Sequence, residues 1–324
     1  MRTARLRPNR KEGSYLHLYQ RACGFRSDRI FGDVERQFML NLIGKVSALY
    51  TLEIIAVTAM SNHVHIVAFV PGEPPTPEET CRRYNAFYAG MKPELIVNSP
   101  DLARIQKRLG DFSVFMGHWQ QSFTCWFNRT RKEQRRGRLW GDRFKHTILE
   151  GREALWTCVQ YVEMNPVRAG ICEQPDDYRF CSWGIRCGSG KHPYARNFLH
   201  HLRRSLGDRA GDWAMPDLEA EFRSDLARKL TAERGESSEE IAAASDLARA
   251  KVPVTLQLTR RARYWTDGAV IGSRQFVMEI TAEALGAERA KKRRYGRGLI
   301  ADGTALFSMR QLRTVAPGSD QDLG

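Results

Sequence analysis

The stretch LEIIAVTAM-SN-HVHIVAFV, residues 52–70, constrains the fold more than any other part of this chain. Two runs rich in β-branched residues flank a Ser-Asn pair, which is the pattern of a hairpin with two antiparallel strands. Side chains alternate along a strand, so His63 and His65 share one side while Val64, Ile66, Ala68 and Val70 share the other. The apolar side must pack beneath helices. The two imidazoles either find hydrogen-bond partners in a core or share one divalent cation, and the hairpin by itself leaves both readings open.

Charge narrows the partner. Lys and Arg number 51 against 37 Asp and Glu, a formal net charge of +14, which points to a polyanion, most commonly nucleic acid. The basic residues cluster: Arg129, Arg131, Lys132, Arg135, Arg136, Arg138, Arg143 and Lys145 form one group, with Trp126 and Trp140 among them. Guanidinium groups interleaved with aromatics suit a phosphate backbone and unstacked bases, although the two tryptophans read first as core packing. A second group comprises Arg289, Lys291, Lys292, Arg293, Arg294 and Arg297. No apolar run reaches the roughly 18 residues of a membrane span, and the basic start is followed by no apolar signal-peptide core. The expectation is a cytoplasmic protein with no membrane partner. None of the seven cysteines forms a CxxC pair, so reduced thiols are expected.

Around the hairpin the periodicity predicts further elements. SYLHLYQRA (14–22) alternates as a strand, and 33–50 carries apolar residues at helical spacing, with Asp33 as its N-cap. Helices are predicted over about 78–91 and 114–134, a strand over 142–150, and a helix over 151–164 stopped by Asn165-Pro166. The order β-α-β-β-(α-α)-β-α predicts an α+β protein, a ferredoxin-like antiparallel sheet with helices on one face. Composition changes near 190. Residues 1–189 are expected to form one domain, 190–310 a mainly helical, partly basic extension, and 311–324 a tail. Within the extension, TDGAVIGSRQFV reads as a turn between two short helices, either a helix-turn-helix DNA-binding element or plain packing.

The helix over 151–164 bears on the histidines. Leu155, Cys158 or Val159, and Val162 make its core stripe. Tyr161 and Asn165, four residues apart, project from one edge beside it.

Three blocks in order, AMSNHVHIV, FNRTRKEQRRGRLWGDRFKHTIL and YVEMNPVRAGI, resemble the single-tyrosine HUH transposases of the IS200-like (Y1) family, and within it the REP-associated tyrosine transposases. The likeness runs from about residue 13 to 185. It implies the HUH variant of the fold. By motif position His63 and His65 match the metal-binding histidines, Tyr161 the nucleophile, and Asn165 a third metal ligand. His17 matches a histidine often seen on the first strand, with no role assigned. Ser61 departs from the proline usual before Asn-His, and Gly141 from the polar residue usual after Leu-Trp. The resemblance implies a metal-dependent single-strand DNA endonuclease and strand transferase. Its cofactor would be Mg²⁺ or Mn²⁺, its intermediate a 5′-phosphotyrosine, and its substrate single-stranded DNA beside a REP-like hairpin. The protein would work in the bacterial nucleoid as a monomer or homodimer. The alternative is a catalytically idle protein that binds or regulates at DNA hairpins.

Overall fold

A computed structural model describes residues 11–25, 27–131, 137–234, 265, 268–288 and 306–310. The expected hairpin is present. Strand β2 (Glu53–Ala59) and strand β3 (His63–Val70) pair antiparallel, and the Met60 N–H reaches the His63 carbonyl (2.8 Å) across Ser61-Asn62. Strand β1 (Ser14–Arg21) pairs antiparallel with β3 on one side and with β4 (Lys145–Leu149) on the other. The order β2-β3-β1-β4 is that of the split βαβ arrangement expected from the sequence.

Helix α1 (Asp33–Ser47) crosses between β1 and β2. Its N-cap is Gly32 rather than Asp33, because the Glu35 carboxylate turns back to accept the Gly32 N–H (2.9 Å) and leaves Asp33 in the first turn. Helices α2 (Pro77–Phe87), α3 (Leu102–Leu109) and α4 (Phe112–Arg129) link β3 to β4. Thr76 caps α2, and Pro77 fits its first turn, where no amide donor is needed. Helix α3 lies in a stretch for which the sequence predicted no element.

Helices expected on one face of the sheet cover both. Helix α4 reaches one face through Phe112 against His146, which stands opposite Leu18; α1 packs on α4 through Phe38 stacked on Trp126 (3.8 Å). Helix α5 (Glu153–Glu163) lies over the other face, the one with the histidines, and ends before the four-residue α6 (Asn165–Arg168), whose first turn accommodates Pro166. After α7 (Ser182–Ser189), helix α8 (Ala195–Leu206) covers the same face through His201, whose ring packs on Tyr15 and Phe69. The alternation of apolar residues on both sides of β1 and β3 demanded cover on both. Two histidines on one side disguised that demand.

Among the described residues the boundary expected at 189/190 separates no second core. Asn197 of α8 donates to the Ile54 carbonyl (3.0 Å), and Phe222 of α9 (Met215–Arg234) packs among Trp156, Trp183 and Phe198. Nor is the extension mainly helical where it meets the sheet. GAVIG forms strand β5 (Gly268–Gly272), parallel to β4, and β6 (Phe307–Arg310) pairs antiparallel with β5 to complete six strands. The helix-turn-helix reading of TDGAVIGSRQFV is therefore corrected: the apolar Ala-Val-Ile run sits beside β4, and Ser273 caps α10 (Arg274–Leu285) directly after it. No helix among the described residues is long and apolar enough to cross a membrane.

Candidate nucleic-acid cleavage site

Register places the histidines. His63 stands opposite Arg21 and His65 opposite Tyr19, so Tyr15, His17 and Tyr19 of β1 share their face. The rings of His63 and His65 are 5.0 Å apart, and that of His65 is stacked on His17 at 5.0 Å. His17 and His65 are buried and His63 half-buried, and the desolvation disfavours their charged form. Burial lowers the His17 pKa to about 4 and the His63 pKa to about 3, and holds that of His65 well below 6.5. They are neutral imidazoles at pH 7, so each has one N–H and one bare nitrogen.

Hydrogen bonds fix which nitrogen is bare. A carbonyl can only accept, so His17 donates Nδ1–H to the Trp265 carbonyl (2.9 Å), and its Nε2 must accept. His65 therefore donates Nδ1–H to His17 Nε2 (2.8 Å), leaving a lone pair on its own Nε2. Asn62 does the same for His63. Its amide nitrogen donates to the Asp28 carbonyl (2.8 Å), which turns its oxygen toward His63 Nδ1 (2.6 Å). His63 and His65 thus both present an unprotonated Nε2, the protonation state a metal ligand needs, with the second nitrogen anchored. The donor set fits a divalent cation in that respect. Among the described residues no three or more His, Cys, Asp or Glu side chains converge as a metal site, so oxygen donors from Asn165, substrate or water would have to complete the coordination.

Tyr161 of α5 stands over this pair, its ring 5.7 Å from that of His65 and 6.0 Å from that of His17. It is only 1% exposed. Trp265 stacks on its outer side at 5.4 Å, and the Arg168 guanidinium lies 4.9 Å from the ring centroid. Burial raises the phenol pKa above its usual 10, while the Arg168 charge and hydrogen bond pull it back toward ionisation. The structure brings His63, His65 and Tyr161 together as the sequence predicted. Asn165 opens α6 directly after α5, its amide nitrogen bonded to the Tyr161 carbonyl (2.8 Å).

Three residues of this site were given no role by the sequence. His17 and Asn62 set the histidine tautomers, and Arg168 serves the phenol. Arg168 lies seven residues beyond Tyr161, two helical turns on, and that spacing was the available signal. Trp265 had none, since it reaches the site from more than 100 positions away in sequence.

The basic segment divides. Lys145 stands opposite Tyr19, whose ring is 4.9 Å from that of His65, and Trp140 bridges to Ala22 just beyond Arg21. Exposed Arg138, Arg143 and Lys145 therefore border the histidine end of the sheet. Arg129 is exposed at the end of α4, whereas Arg131 pairs with Glu35 (3.3 Å) and covers the Phe127 ring. Lys132, Arg135, Arg136 and the 289–297 cluster lie outside the described residues. Trp126 stacks on Phe38, and Trp140 donates to Thr124 while packing on Trp119, so both tryptophans serve the core.

No family model matches the sequence, and no curated protein matches it. Among solved structures, the chain is matched with that of a REP-associated tyrosine transposase bound to a REP hairpin. The match has 16% identity and a TM-score of 0.37, and covers 63% of this chain and 91% of the other.

Proposed function

We propose that this protein is a single-strand DNA endonuclease and strand transferase, a transposase in mechanism, that acts beside REP-like hairpins through Tyr161. The observation that carries the reading is the pair of bare Nε2 atoms on His63 and His65 beside a buried tyrosine, each held in that tautomer by its own hydrogen bond. A core needs no such arrangement. Neutral histidines in a core commonly satisfy both nitrogens.

The chain's own residues divide the work. His63 and His65, with the Asn165 oxygen, would hold Mn²⁺ or Mg²⁺, which when bound withdraws electron density from the scissile phosphate. Arg138, Arg143 and Lys145 draw the DNA backbone to the histidine end of the sheet. Arg168 favours the phenolate form of Tyr161. The Tyr161 oxygen bonds to phosphorus, the P–O3′ bond breaks, and the departing oxygen takes up a proton as a free 3′-OH. The 5′-phosphotyrosine ester keeps the bond energy, so an incoming 3′-OH reverses the step on a new strand without ATP. A tyrosine on a helix edge can reach only a splayed backbone, which is why the substrate is single-stranded at the cut.

Trp265 favours a second reading. Its indole stacks on a Tyr161 that is only 1% exposed, and a tyrosine so covered suits a hairpin-binding protein that does not cleave. One experiment separates the two. Labelled single strands with the hairpins flanking the coding region are incubated with wild type or Tyr161→Phe, in Mn²⁺ or in EDTA. A covalent protein–DNA band that requires both Mn²⁺ and Tyr161 is expected; tight binding without a band on every hairpin would support the second reading.

A further inference from the structure

The histidine face of the sheet has another end. Tyr15 stands opposite Phe69 on this face, six residues along β1 from the Arg21–His63 pair, about 20 Å away at the rise of a strand. A cavity of about 400 Å³ opens there, lined by Ser14, Tyr15, Phe69, Arg152, Arg204 and Phe276. Nothing in the cleavage site uses these residues.

One feature marks it as more than a surface dent. Tyr15 is fixed from behind. In the neutral imidazole, His201 donates Nε2–H to the Glu53 carboxylate (2.7 Å), so its Nδ1 accepts the Tyr15 O–H (3.1 Å). The Tyr15 oxygen is left with lone pairs and no proton to give, so it accepts from whatever enters.

The remaining walls sort by chemistry. Arg152 and Arg204 are exposed cations at the mouth, matched to a phosphate. Phe69 and Phe276 are flat apolar surfaces, matched to a base. Of the two carboxylates that also line the cavity, Glu150 is engaged by the Ser273 amide (2.5 Å) and hydroxyl (3.0 Å), and Glu12 lies exposed at the rim. We propose that this cavity is a second binding site, for a nucleoside 5′-monophosphate. Its phosphate lies on Arg152 and Arg204, its base lies against Phe69 and Phe276, and a sugar or base donor reaches Tyr15. The same chemistry comes from a free nucleotide or from the 5′-phosphorylated end of a DNA strand. The volume lies within the usual range for small-ligand pockets. The proposal does not depend on Tyr161 being a nucleophile.

The test is calorimetric titration of the full chain with thymidine 5′-monophosphate, thymidine and inorganic phosphate, each alone. The nucleotide is expected to bind one to one, at least about tenfold tighter than either fragment, because it joins the cationic and aromatic walls. Arg152→Ala and Arg204→Ala should each weaken it about tenfold, the loss expected for a charged hydrogen-bond partner, and exposed Arg104→Ala should not. Tyr15→Phe should weaken the nucleotide and spare inorganic phosphate. Should that core variant unfold, the two exposed arginine variants still decide the matter. Competition by a 5′-phosphorylated oligothymidylate, and not by its unphosphorylated form, would identify a strand end as the source; failure to compete would identify the free nucleotide. Absence of saturable nucleotide binding, or binding unchanged in the double arginine variant, would overturn the proposal.

Discussion

The two ends of one sheet face hold histidines in opposite conditions. At the β2 side of the far end, His201 has both ring nitrogens committed, one to Tyr15 and one to Glu53. At the near end, His63 and His65 each have one nitrogen committed, to Asn62 and His17, and one left bare. Residue type is the same, and His65 and His201 are both 1% exposed. What differs is whether an unprotonated nitrogen is left uncommitted, and an uncommitted lone pair is what can take a ligand. The far end instead presents an oxygen, that of the Tyr15 phenol, to its cavity.

The largest expected effect tests the bare nitrogens themselves. His63→Ala or His65→Ala should reduce covalent adduct formation by about 10³-fold, roughly 4 kcal/mol of barrier. Mn²⁺ binding followed by calorimetry should fall with it, and His201→Phe should leave it in place. Loss of Mn²⁺ binding in His201→Phe, with the fold intact, would break the comparison.

Cover differs as well. Trp265 closes the near end, while the far end is open. Trp265→Ala should cost about 3–5 kcal/mol of stability, as other large-to-small changes in cores do, read from urea unfolding. If the indole blocks the phenol, adduct formation per folded molecule should rise. An unchanged rate would show that the DNA enters by another path.

A smaller effect isolates the relay. His17→Phe keeps a ring beneath Tyr161 but gives His65 nothing to donate to, so the His65 tautomer is released. Mn²⁺ affinity should drop by about 10–100-fold, the usual loss when a partner behind a ligand is removed. An affinity equal to wild type would mean that the tautomer of His65 is set elsewhere.

Much of this was legible in the sequence, for identifiable reasons. The hairpin, the face shared by His63 and His65, and the helix edge that carries Tyr161 all follow from local periodicity, which a single segment contains. The relay was illegible because it joins β1, β3 and residue 265, and sequence spacing reports nothing across such distances. Strand β5 was read as a turn because Gly268 and Gly272 bracket only three apolar residues, too few to show period two. Its identity comes from β4, beside which it lies. The segment after 190 was read as an extension from its change of composition, and no local pattern reports that Asn197 and Phe222 pack against residues before 190.

The smallest effect returns to the committed imidazole. The hydrogen bond from His201 holds the Glu53 carboxyl below its ordinary 4.5, against the opposing effect of partial burial. The unfolded chain then takes up this proton first as pH falls. The stabilisation is full above about 4.5 and is lost as pH drops through the lower folded value. Since the Glu53 side chain is 40% exposed, solvent screens the pair, and a few tenths of a kcal/mol is the expected size. His201→Phe should remove that part of the pH dependence, so urea midpoints of variant and wild type should lie closer together at pH 3.5 than at pH 6. A constant gap would show that the Glu53–His201 bond contributes no free energy. The His201 Nε2–H would then lose the anchor that makes Nδ1 the acceptor from Tyr15, and the Tyr15 oxygen would lose the fixed polarity that the far cavity depends on.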